Sequence, residues 1–61
     1  MKPLKANKLL NAFEKKAAKK HNADAVKYIS VIRLRVLNLM LKGEELDELA
    51  ANAILRIKDR I

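Results

Sequence analysis

Apolar residues recur along this chain at helical spacing in three successive stretches. In residues 3–20, Ala6, Leu9, Leu10, Phe13 and Ala17 follow the i, i+3, i+4, i+7, i+11 spacing of one buried stripe. Pro3 suits a first helical turn, where its missing N–H would have had no helical partner. In residues 23–42 no Gly or Pro intervenes, and Ala25, Ile29, Ile32, Val36 and Leu39 alternate by four and three. That is a heptad-like seam. Val26, Leu37 and Met40 widen it on one side and Tyr28 on the other. So many apolar positions require cover on more than one side. The polar remainder is a narrow strip of Asp24, Lys27, Arg35, Asn38 and Lys42, and Val31 falls inside it. In residues 44–61, Leu46, Leu49, Ala50, Ala53, Ile54, Ile57 and Ile61 supply one apolar face.

The spacing therefore predicts helices over about 3–20, 23–42 and 44–61. A strand over 26–36 is the competing reading, because that stretch is rich in β-branched residues and Ile32–Val36 alternates. Its uninterrupted length and the seam that continues past it favour a helix. His21 and Asn22 mark the first break. Asn22 is a good N-cap, and Asp24 then suits the positive end of the second helix. Without Gly or Pro at that break, one rod from 3 to 42 is the alternative. Gly43 signals the second break. Glu44, Glu45, Asp47 and Glu48 then fall in the first turns of the third helix and Arg56, Lys58 and Arg60 in its last, both matching the macrodipole. The short connection makes helices 2 and 3 an αα-hairpin. The predicted fold is all-α: a three-helix bundle, or a helical hairpin with an additional N-terminal helix, dimerising through the central helix.

Sixty-one residues make a single domain, 1–61, that is marginal by itself. With no Cys, disulfides and thiolate metal sites are excluded, which leaves packing and self-association as the sources of stability. The absence of Cys, of a secretory h-region and of an apolar run near membrane-span length gives a cytoplasmic expectation.

Charge changes the picture most. The net charge is +7, of which residues 1–22 carry +6, residues 23–43 carry +3 and residues 44–61 carry −2. On the first helix Lys5, Lys8, Lys15 and Lys19 lie nearly opposite the apolar stripe, and Lys16 and Lys20 flank it. Such a face can neutralise nucleic-acid phosphates and release counterions. Its ammonium groups act as point charges, so contact with the backbone of DNA or RNA, without sequence preference, is the expectation. Lys27 and Arg35 would extend the patch. The plainer reading is a charged face that keeps a small protein soluble.

Other chemistry is weakly represented. A helix-turn-helix around Gly43 would open its recognition helix with acids, which would meet phosphates. Only Phe13 and Tyr28 are available to stack on bases. His21 stands alone, so no metal is expected, and no cofactor either. Ser30 has no base nearby in sequence, and Tyr28 and Met40 read as packing residues. Without paired carboxylates, a Gly-rich loop or a triad, the chain is not expected to be an enzyme. Arg33 falls in the apolar sector of helix 2, where it predicts an ion pair with Glu45 or Glu48, or else a polar determinant of dimer register. Val31, Leu34, Leu41 and Leu55 exceed what a three-helix monomer can cover and, with Arg33, are the candidate interface.

The first functional expectation is thus a regulatory or architectural protein, self-associating and bound to nucleic acid through Lys5, Lys8, Lys15, Lys16, Lys19, Lys20, Lys27 and Arg35. The second is a protein-interaction module or inhibitor that docks on a larger acidic partner through helix 2. A membrane-surface helix ranks last, because the helix-1 stripe is partly Ala and has one aromatic.

Overall fold

The computed structural model describes all 61 residues, and the chain forms three helices: α1 (Pro3–Lys19), α2 (Ala23–Lys42) and α3 (Glu48–Arg60). Residues 26–36 are helical throughout. The all-α expectation and the hairpin of α2 with α3 hold, while α3 begins four residues later than the spacing predicts.

The break between α1 and α2 is built without glycine. His21 takes a left-handed conformation (φ 53°), Asn22 N–H donates to Ala17 O at 2.9 Å, and His21 N–H donates to Ala18 O at 3.1 Å. These bonds satisfy the last carbonyls of α1 in the pattern of a Schellman turn. Asn22 then caps α2, its Oδ1 accepting from Ala25 N–H at 3.1 Å. The same pattern closes α2 with the residue best suited to it. Gly43 is left-handed (φ 71°), Glu44 N–H donates to Leu39 O at 3.0 Å, and Gly43 N–H donates to Met40 O at 3.2 Å.

The late start of α3 has a local and a tertiary cause. Asp47 is its N-cap, with the side chain accepting from Ala50 N–H at 2.8 Å. Leu46 is buried, and its N–H donates to Met1 O at 2.9 Å, which ties the linker to the start of α1. Glu44 and Glu45 therefore lie before the helix, and among the acids only Glu48 occupies its first turn. The predicted apolar face otherwise holds, with Leu46, Ile54 and Ile57 buried and Ala50, Ala53 and Ile61 half-buried, but Leu49, expected in the core, is 82% exposed.

The core is small. Ala6, Leu10 and Ala17 of α1 meet Ile29 and Val36 of α2, Leu46 of the linker, and Ile54 and Ile57 of α3. Half-buried Leu9, Phe13, Ala25, Ile32, Leu39 and Ala50 surround them. Ala6 and Ala17 are fully buried at their places on α1, where their small side chains let the facing helices approach.

Arg33 corrects a sequence expectation. It pairs with α1, not with Glu45 before α3 or Glu48 in its first turn: Nη1 donates to Glu14 Oε2 and Nη2 to Asn11 Oδ1, each at 2.8 Å. The reason is rotational position. Arg33 lies on the edge of α2 that faces α1, whereas Ile32, Arg35 and Leu39 lie on the edge that faces α3. Glu14, the one acid of α1, is consumed by this pair.

Candidate nucleic-acid interface

The lysine face follows directly from α1. The buried residues Ala6, Leu10 and Ala17 fix the inward side, so Lys5, Lys8, Lys15 and Lys19 must point outward, and all four are exposed. Lys16 and Lys20 are also exposed, on the flank toward α3. From Lys5 to Lys19 the face runs about 21 Å at the rise of an α-helix. The one ion pair of the molecule, Arg33–Glu14, involves none of these lysines. Lys20 alone is engaged, its Nζ donating to the main-chain O of Ile61. Lys15 and Lys19, and Lys16 and Lys20, are like-charged neighbours one turn apart, an arrangement that costs a few tenths of a kcal/mol per pair.

The other two predicted residues lie elsewhere. Lys27 is exposed on the outward side of α2, and Arg35 is exposed at the groove between α2 and α3. That groove contains a second basic cluster that the sequence did not bring together. Arg56 and Arg60 line it with Tyr28, Ala53 and Ile57. Arg35 lies further along the same groove, over Ile32, Leu39, Ala50 and Ala53. Tyr28 is 45% exposed there. Asp24 is the one acid lining this stretch, near Arg60. The available signal was the four-residue spacing of Arg56 and Arg60. It read as a match to the macrodipole because the edge of α3 that lies beside α2 is a property of packing.

The predicted interface residues also separate. Val31, Leu34 and Leu41 are exposed on α2 at 49%, 70% and 88%. Leu55 is exposed on α3, away from them, and Arg33 is held by Glu14 and Asn11. Leu37, Met40 and Leu4 join the exposed apolar set instead, and Leu4 and Met40 line a shallow groove with Gly43, Glu44 and Glu45. No cluster of three or more His, Cys, Asp and Glu is placed to hold a metal ion. No helix is long and apolar enough to cross a membrane.

Compared with known proteins, the chain matches no protein-family model, no curated protein and no solved structure.

Proposed function

We propose that this is a non-enzymatic nucleic-acid-binding protein of regulatory or architectural type, which grips the phosphate backbone through Lys5, Lys8, Lys15, Lys16, Lys19 and Lys20. The observation that carries this reading is a lysine row with no acid paired to it, since the only acid of α1 is taken by Arg33. Lysines on the outer side of one straight helix can follow a phosphate backbone but do not form the planar, bidentate pairs that read a guanine edge. A row about 21 Å long spans roughly six base-pair steps. Arg35, Arg56 and Arg60 give a second anionic strand or a flanking phosphate a place to bind on the α2–α3 side.

The test is a titration of a fluorescent 20-base-pair duplex against salt. With roughly four to six phosphates neutralised, affinity should fall about 10²- to 10³-fold between 50 and 200 mM salt. Replacing Lys8, Lys15 and Lys19 together by Glu should abolish binding and keep helicity. No binding at 20 mM salt to duplex or single strand, or an affinity indifferent to salt, overturns the reading. The exposed leucines of α2 favour a second reading, a helical module docking on a larger acidic protein. Retention of one partner after nuclease treatment, lost on Leu34→Glu, would support it over the first.

A further inference from the structure

Between α2 and α3 runs a groove to which α1 contributes no residue. Tyr28 lines every part of it, from Asp24 and Arg60 at one end to Leu39 and Leu46 at the other. At the helical rise, Asp24 and Leu39 stand about 22 Å apart along α2, roughly four turns of a helix. The floor is aliphatic, and Ile32, Leu39, Ala50 and Ala53 each keep part of their surface open there. Leu49 lies within about 60° of Ala53, Arg56 and Arg60 around α3, so its 82% exposed side chain belongs to the same rim.

The charge on this rim is one-sided. Arg35 stands on the α2 side and Arg56 and Arg60 on the α3 side, all exposed and none in an ion pair. Asp24 is the one acid that lines the groove. Asp47, beyond its Leu46 end, is turned to the α3 cap. Glu48 and Asp59 lie roughly a quarter-turn further round α3, away from the core.

Two features fix the kind of occupant. A guanidinium presents a planar fork that matches a carboxylate, so three of them call for acidic groups on both sides of the groove. The floor between them calls for apolar cover. A phosphate strand can use the arginines alone, but it would meet a single aromatic along the whole groove and leave the aliphatic floor uncovered. Tyrosine and arginine around an apolar centre are the composition of a protein-recognition site.

We propose that this groove receives an amphipathic α-helix of a partner protein. The helix lays an apolar stripe on Ile32, Leu39, Ala50 and Ala53 and sets Asp or Glu on either flank against Arg35, Arg56 and Arg60. Tyr28 and Leu49 close on the sides of that stripe. The assignment depends on neither the lysine row of α1 nor the exposed Leu34–Leu41 side of α2.

The chain has one tyrosine and no tryptophan, so the emission of Tyr28 reports on the groove directly. The probe is a helical peptide of about 15 residues with Leu at i, i+3, i+4 and i+7 spacing, Glu beside that stripe and no aromatic residue. It is titrated at 150 mM salt into the nuclease-treated full chain, which keeps the outcome separable from that of the phosphate titration. The Tyr28 signal should saturate at one peptide per chain, and a scrambled peptide of the same composition should bind at least about tenfold more weakly. Arg56→Glu with Arg60→Glu should weaken binding by roughly tenfold or more, as should Leu49→Glu, with far-UV circular dichroism unchanged. Replacing Lys8, Lys15 and Lys19 together by Glu, or Leu34 by Glu, should leave the affinity within about threefold. Equal binding of the two peptides, loss of binding with the lysines and not the arginines, or no Tyr28 response at 1 mM peptide overturns the proposal. So does tighter binding of oligothymidylate that quenches Tyr28 and displaces the peptide, which would assign the groove to single-stranded nucleic acid.

Discussion

Leu10→Ala and Leu49→Ala make the same chemical change at two positions that the apolar pattern assigns alike to the core. The structure separates them: Leu10 is fully buried and Leu49 is 82% exposed. Truncating a buried leucine costs the transfer energy of the lost atoms plus the cavity left behind, about 2–5 kcal/mol. The cavity at Leu10 has little means of closing. Its neighbours along the α1 stripe include Ala6 and Ala17, and the facing helices offer Ile29, Val36, Ile54 and Ile57, whose β-branched side chains are stiff at χ1. A loss of about 3–4 kcal/mol is therefore expected. At roughly 0.05–0.15 kcal/mol per residue the whole chain has about 3–9 kcal/mol to lose. Tm should drop by roughly 12–30 °C, and the variant can be largely unfolded at room temperature. Leu49→Ala should change stability by no more than about 0.5 kcal/mol. Urea melts followed by circular dichroism at one fixed low protein concentration measure both. Equal losses at the two positions, or a loss below about 1 kcal/mol at Leu10, would refute the placement of α3 against α1.

Three further outcomes follow from the helix ends and the one ion pair. His21→Gly removes a left-handed non-glycine residue from the turn after α1 and should raise stability by about 0.5–1 kcal/mol in thermal melts, because glycine takes that conformation without a Cβ clash. Asp47→Ala deletes the cap on Ala50 N–H and should cost about 1 kcal/mol, whereas Glu44→Ala and Glu45→Ala, which lie before the helix, should cost no more than a few tenths. A double-mutant cycle on Arg33→Met and Glu14→Gln should return a coupling no larger than about 1 kcal/mol, since both side chains keep part of their surface in water.

The first two helices were legible because their cause is local. A stripe of period 3.6 and the cap at Asn22 need no knowledge of the rest of the molecule. The lysine face was legible for the same reason, being fixed once the inward side of α1 is known. The start of α3 was not. Glu44 and Glu45 are good helix formers with a charge suited to a helix N-terminus, yet Leu46 is drawn into the core and bonded to Met1, which holds those residues out of the helix. The partner of Arg33 and the Arg56–Arg60–Tyr28 groove were hidden by one unknown, the edge of each helix that faces each neighbour. Spacing gives the width of an apolar face but not the order in which helices pack around it.

The uncompensated lysines of α1 have a consequence for how the chain reaches its native state. Coiling residues 3–19 brings together ammonium groups that an extended chain would hold apart, so the folded form carries an electrostatic tension the unfolded form largely escapes. A polyanion laid along the row would relax that tension. Any such polyanion would therefore favour the coiled form of residues 3–19 over the extended one.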